Sequence, residues 1–139
     1  MRKLRGSCLC GAVQYEIPDE LLYAAYCHCS ECRRFSGSAF SALGGIAMAQ
    51  LQINTGEDKI KFFRKTEASN LAFCEVCGSS LFTEKPLKGL AHLRLGTLMD
   101  SPSLTPQAHV LVGSKAPWFE ITDNLPQFED LPPVTPNTS

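Results

Sequence analysis

A mainly β fold, built from antiparallel sheets with one short helix, is predicted by three features of the chain. Runs of β-branched, aromatic and aliphatic residues are short, Gly, Pro, Asn and Asp break them at regular intervals, and no long stretch of helical period appears. The spacing suggests stacked or curled sheets. Val13, Tyr15 and Ile17 alternate with Gln14 and Glu16 ahead of a Pro18-Asp19 turn. Leu51 and Ile53 alternate with Gln50 and Gln52 ahead of Asn54-Thr55-Gly56. Both patterns describe strands with one buried face. Further strands are expected over 24–27, 38–43, 60–64, 71–73, 80–84, 93–98 and 109–112. The one helix is placed after Ser30, read as its N-cap, and runs through Cys32, Arg33, Arg34 and Phe35 to a stop at Gly37.

A chain of 139 residues suits one domain, drawn here as 1–130, with the proline-rich 131–139 as an extended or disordered tail. The formal net charge of -1 argues against a polyanionic partner such as nucleic acid. No run of eighteen apolar residues exists, and the basic start at 1–6 lacks the apolar stretch of an export signal, so a cytoplasmic protein away from membranes is expected. Oligomeric state has no signature here.

Seven cysteines in such a chain, an odd number with no secretion signal, argue against a disulfide framework and for metal ligation. Cys8-Leu9-Cys10 and Cys27-His28-Cys29 are Cys-x-Cys pairs, and on extended backbone residues two apart share a face, so both sulfurs of a pair reach one ion. Cys29-Ser30-Glu31-Cys32 and Cys74-Glu75-Val76-Cys77 are Cys-x-x-Cys knuckles, the second followed by Gly78, which allows positive φ. Cys8 and Cys10 with Cys74 and Cys77 make four ligands, a closed tetrahedral set that would staple the N-terminal strand to mid-chain. Cys27, Cys29 and Cys32 form a local three. Four thiolates suit zinc or an iron–sulfur cluster alike, and buried apolar cysteines or a redox pair are the blander alternatives.

Three thiolates leave a zinc ion with net charge -1 and one free position, the layout of catalytic rather than structural zinc. Such an ion is a poor activator of water but can hold an incoming thiolate, so attack by an activated thiol on an electrophilic carbon is expected. Arg33 and Arg34 would offset charge and bind a carboxylate of that thiol compound. The alternative leaves Cys27, Cys29 and Cys32 as free thiols or loose metal ligands. His28 should face away from its neighbours' metal, as a supporting or surface group, whereas His92 and His109 read as hydrogen-bonded structural histidines, with His109 a candidate for proton transfer. Trp118, Phe119 and Phe128 are expected to close the core or a pocket edge. The run 59–65, basic with aromatics, reads as a strand with a solvated face.

Four stretches carry a resemblance: Gly6-Ser7-Cys8-Leu9-Cys10-Gly11-Ala12-Val13; Cys27-His28-Cys29-Ser30-Glu31-Cys32-Arg33-Arg34; Phe73-Cys74-Glu75-Val76-Cys77-Gly78-Ser79-Ser80-Leu81-Phe82; and His109-Val110 with Ser114-Lys115-Ala116-Pro117-Trp118. Together they resemble the family of glutathione-dependent formaldehyde-activating enzymes, which shares its domain with centromere protein V. The resemblance implies a tent-like arrangement of sheets pinned by zinc. It implies a structural Zn2+ on Cys8, Cys10, Cys74 and Cys77 and a second, catalytic one on Cys27, Cys29 and Cys32. It also implies a carbon–sulfur lyase that forms S-hydroxymethylglutathione from glutathione and formaldehyde, a detoxification reaction. A non-catalytic, zinc-stabilised binding module is the competing reading, because one scaffold can host several functions.

Overall fold

The computed structural model describes residues 2–131; the expected tail falls outside them except for Leu131, which is exposed. Ten strands and one α-helix follow the chain among these residues: β1 (Lys3–Ser7), β2 (Gln14–Pro18), β3 (Tyr23–Cys27), α1 (Ser30–Ser36), β4 (Ser41–Ala47), β5 (Gln52–Thr55), β6 (Ile60–Thr66), β7 (Ser69–Cys74), β8 (Ser80–Lys85), β9 (Leu90–Arg94) and β10 (His109–Val110). The fold is mainly β, as expected. A three-stranded sheet has the order β1-β2-β5, and a seven-stranded sheet the order β10-β3-β4-β9-β8-β7-β6. Every pairing is antiparallel except that of β10 with β3, which is parallel.

The two sheets bury their alternating faces against each other. Leu4, Tyr15 and Ile17 from the small sheet meet Ala24, Ile46, Ala72, Leu81, Ala91 and Leu93 from the large one in a single cluster. Each large aliphatic side chain so buried contributes about 2 kcal/mol. Cys8 and Cys74 belong to this cluster, so one metal-ligand candidate from each of two distant segments lies in the core itself. The opposite face of the large sheet carries Ala25, Cys27, Leu43 and Val110 and is covered by α1, through Cys32, and by Leu111 and Phe128. Alternation along β9 puts Ala91 and Leu93 toward the small sheet and His92 and Arg94 toward this second face.

The helix is bound to that face at both ends. The Ser41 hydroxyl donates to the Cys32 carbonyl at 3.0 Å, and the Ser80 hydroxyl donates to the Phe35 carbonyl at 2.6 Å. Gly37 ends the helix in the left-handed region, and its N–H closes on the Arg33 carbonyl. Glu31 in the first turn and Arg33 and Arg34 in the last both complement the helix dipole.

Several expectations shift. The N-cap is Cys29, not Ser30: its sulfur accepts the Cys32 N–H, the bond an oxygen would otherwise take. β1 lies outside the predicted set, because Lys3 and Arg5 break the apolar pattern; Leu4 supplies the buried face. The strand expected at 93–98 sits at Leu90–Arg94, and Leu95–Thr97 turns as a 3-10 segment around Gly96. The strand expected at 38–43 starts at Ser41, because the residues before it complete the exit from α1. Beyond Val110 the chain leaves the sheet at Leu111, a non-glycine residue at φ 56°, a conformation that costs free energy and is held by the Leu111 N–H to Asp130 carbonyl bond. Trp118, expected to close the core or a pocket edge, is 71% exposed; Phe119 instead packs on Phe40.

Candidate metal centre

The loop from β1 to β2 carries Cys8 and Cys10, while β7 ends on Cys74 and the turn to β8 carries Cys77. The four Sγ atoms lie within 4.8 Å of one another, with Cys8 to Cys10 at 3.6 Å and Cys10 to Cys74 at 3.9 Å. Four sulfurs each about 2.3 Å from a tetrahedral ion stand about 3.8 Å apart, so this donor set fits zinc. The surrounding donors favour thiolates. The Val13 N–H donates to Cys8 Sγ at 3.2 Å and the Ala12 N–H to Cys10 Sγ at 3.5 Å. Ser79 Oγ accepts the Leu9 N–H at 2.9 Å, which leaves its own proton for Cys77 Sγ at 3.2 Å. That hydroxyl, followed by the Ser79 N–H, pulls the Cys77 thiol down to about 5. Gly78 sits at φ 80° as the knuckle requires, and its N–H meets the Cys74 carbonyl at 2.8 Å.

A second group forms where β3 runs into α1. Cys27 ends the strand, Cys29 caps the helix, and Cys32 lies in the first turn, buried against the sheet. Their three Sγ atoms also lie within 4.8 Å of one another. Cys29 is held well below the ordinary thiol range, first by the Cys27 thiol, then by the Cys32 thiol, and further by backbone N–H groups. The hydrogen bond with Cys29 in turn pushes Cys27 up to about 11, and hydrogen bonds with Cys27 and then Cys29 push Cys32 well above the ordinary thiol range. Three sulfurs this close ionise together only when a cation offsets them, and soft thiolates suit zinc.

The two arginines named from the sequence part company. An open groove of about 410 Å³ is lined by Ser30, Glu31, Arg34, Phe35, Phe63, Lys65 and Leu71, between α1 and strands β6 and β7. Arg34 is exposed in it, and Lys65 pairs with Glu31 across it. Arg33 lies about 100° further round the helix and does not line the groove. Its Nε is buried without a hydrogen-bond partner among the described residues.

His28 points away from its neighbours' sulfurs, as alternation predicts, but it is fully buried rather than at the surface. His28 Nε2 meets His109 Nδ1 at 2.8 Å, and His109 Nε2 meets the Asp123 carboxylate at 2.9 Å. The His109 hydrogen bond, ahead of the Leu125 N–H, keeps Asp123 below the usual carboxylate range. An ionised Asp123 accepts from His109 Nε2–H, so His109 Nδ1 is the acceptor and His28 Nε2–H the donor. The ring between Cys27 and Cys29 is therefore held by a chain that starts 14 residues beyond His109. His92 accepts the Tyr23 hydroxyl at 2.6 Å, and burial lowers its pKa to about 4, so it is neutral and structural.

The family described as glutathione-dependent formaldehyde-activating enzyme has a model that matches residues 3–114. The chain belongs to this family. Among its relatives, a Halomonas elongata protein provisionally named as such an enzyme is 27% identical over 126 residues, 85% of this chain and 80% of that protein. Provisionally named enzymes of Fusarium vanettenii and Aspergillus flavus are 29% and 30% identical over 63% and 60% of this chain. The chain spans about half the length of these two fungal relatives, at 50% and 47%. A solved Rhodobacter sphaeroides protein shares the fold, with a TM-score of 0.59 at 23% identity over 71% of this chain and 91% of that one. Among the described residues no helix is long and apolar enough to cross a membrane.

Two residues near the three-cysteine cluster were not singled out by sequence. Asp123 sits in an irregular loop with no pattern that ties it to His109. Arg94 did leave a trace, as a charge in the run Leu90 to Leu95, apolar but for His92, where strands seldom bury one.

Proposed function

We propose that this chain is a zinc-dependent carbon–sulfur lyase acting on a thiol adduct of a small aldehyde, with S-hydroxymethylglutathione formed from glutathione and formaldehyde. The observation that carries the reading is a cluster of three sulfurs, rather than four, where β3 runs into α1, the helix whose Ser30, Glu31, Arg34 and Phe35 line an open groove. Zinc held by Cys27, Cys29 and Cys32 would keep a substrate thiol ionised near neutral pH and available as a nucleophile. The quartet of Cys8, Cys10, Cys74 and Cys77 would hold the structural ion of a single domain over residues 1–130.

The groove suits a small zwitterionic peptide. Arg34 offers a cation to a carboxylate, the Lys65–Glu31 pair presents both signs of charge to a zwitterion that opens it, and Phe35 and Phe63 supply apolar walls. Arg33, turned out of the groove, is not assigned to substrate. The Asp123–His109–His28 chain fixes the Cys27-His28-Cys29 backbone, so two sulfurs keep their places as substrate enters and leaves. In the bond change, the sulfur lone pair forms the C–S bond, the carbonyl π pair moves to oxygen, and the thiol proton ends on the new hydroxyl. The reaction removes free formaldehyde and belongs in the cytoplasm, where glutathione keeps thiols reduced.

The test is the rate of glutathione–formaldehyde adduct exchange measured by NMR with the zinc-loaded chain. Acceleration that vanishes in Cys29→Ala supports the lyase. A rate equal to the uncatalysed one removes this substrate assignment and leaves the zinc-stabilised binding module.

A further inference from the structure

Arg94 closes β9 on the helix-covered face of the large sheet, opposite Leu43 in the register and only 6% exposed. Its guanidinium stands 4.9 Å over the Phe35 ring of α1. One terminal nitrogen donates to the His92 carbonyl at 2.9 Å and the other to Thr83 Oγ1 at 2.8 Å, while Nε is buried without a partner among the described residues. The groups it hydrogen-bonds are neutral, so they do not balance its charge. A guanidinium taken out of water costs several kcal/mol unless an opposite charge lies close. The register shows which charges are available: Cys27 pairs with Ser41, two residues along β4 from Leu43 and on the same face, and Cys32 packs in the same cluster as Cys27 and Leu43. Burial lowers the pKa of Arg94, and the groups that oppose this are, in order, Cys32, Cys27, Glu31 and Cys29, among them all three sulfurs of the second group.

We propose that Arg94 is the counter-charge of the three-sulfur centre. It is a positioning residue that acts through the ligating sulfurs and makes the centre accept a fourth, anionic sulfur. The inference rests on reading Cys27, Cys29 and Cys32 as metal ligands. Three thiolates and a divalent ion sum to -1, and Arg94 brings the buried ensemble to zero. A substrate thiolate then raises it to -1 instead of -2, which in a poorly solvated site favours thiolates over a case with no cation. Arg34 and Lys65 cannot do this from the groove, because water screens them.

The test uses the full chain loaded with cobalt(II), whose sulfur-to-metal absorption reports each site, titrated with glutathione. Arg94→Gln removes the charge and keeps an amide donor for Thr83; Arg94→Lys keeps the charge; Thr83→Val removes a hydrogen bond and keeps the charge. Arg94→Gln is expected to retain the four-sulfur cobalt signal, which also shows that it folds. Its three-sulfur site should bind both cobalt and glutathione about tenfold more weakly, a change of about 1.4 kcal/mol. Arg94→Lys and Thr83→Val should stay within about threefold of the parent. Unchanged binding in Arg94→Gln overturns the proposal. So does a loss in Thr83→Val equal to that in Arg94→Gln, which would mark a packing role, or a loss of the same size in Arg94→Lys, the comparison that still decides if Arg94→Gln does not fold. If the parent chain takes up a single cobalt, or Cys29→Ala still takes up two, the metal reading of the three sulfurs fails first, and this result is distinct from the others.

Discussion

Replacing Cys10 by Ala tests whether the four-sulfur site staples the fold. Cys10 is exposed, so the change removes a sulfur without leaving a cavity in the core, unlike a change at Cys8 or Cys74. Cys10 and Cys74 are 64 residues apart. An unfolded chain offers an ion one local pair, either Cys8 with Cys10 or Cys74 with Cys77; to offer both it must close that loop, at about 4 kcal/mol in chain entropy. Folding has already brought the pairs together, so the folded chain binds the ion more tightly by up to that amount, and the difference appears as stability. The three-sulfur site spans only Cys27 to Cys32, and the same reasoning gives about 2 kcal/mol there. With an unfolding entropy of about 2.1 cal/mol/K per residue, these figures correspond to drops in Tm of roughly 14 °C and 7 °C. The assay is calorimetry in zinc-containing buffer on the parent, Cys10→Ala and Cys29→Ala. A Cys10→Ala melt within about 3 °C of the parent, or equal losses in the two variants, would refute the staple.

Cys29→Ala should also lower the zinc content by one ion per chain, measured by elemental analysis, and return adduct exchange to the uncatalysed rate while the four-sulfur site stays loaded. His92 has a folded-state pKa lowered to about 4 against an ordinary 6.5. Below 6.5 the unfolded chain binds a proton that the folded chain refuses, so stability is full above about 6.5 and falls as the pH drops toward 4. This amounts to on the order of 3 kcal/mol, and denaturant titrations of His92→Gln should show that part of the acid slope removed. Asp100 shows a second acid-side dependence. The Arg5 guanidinium, followed by the Arg5 N–H, holds it at about 2, so its contribution is present above its ordinary value near 4 and is lost between 4 and 2; Asp100→Asn should flatten that part of the melting profile. Gly56 lies at φ 80°, and an added Cβ would sit 1.8 Å from the Ala12 carbonyl oxygen, so Gly56→Ala should destabilise by more than about 2 kcal/mol in urea unfolding.

Period-two alternation over Val13 to Ile17 and the punctuation by Gly, Pro and Asn marked most strands, because a half-buried strand writes its two faces directly into the residue order. It failed at β1, where the buried face is Leu4 between Lys3 and Arg5 followed by a glycine, Gly6, and at 93–98, where an apolar run turns out of the sheet at Leu95. Leu111 shows the same limit. Nothing in its side chain announces a left-handed backbone, which is held by its bond to a residue 19 positions on. The chemistry of Trp118 suggests the core or a pocket edge, yet it is exposed, because no rule of composition says which aromatic the surface keeps.

By itself, the sequence determined the fold class, the family and the division of seven cysteines into four and three, because ligand spacing is local and the knuckles carry it in two or three residues. Tertiary structure alone decided what surrounds the three sulfurs: which arginine faces the groove, that Cys29 rather than Ser30 caps the helix, that Asp123 steers His28 through His109, and that Arg94 lies under α1. The physical reason is that charge and hydrogen bonding act through space. Residues tens of positions apart share a low-dielectric environment only after the sheet has registered them, and no local pattern encodes that meeting.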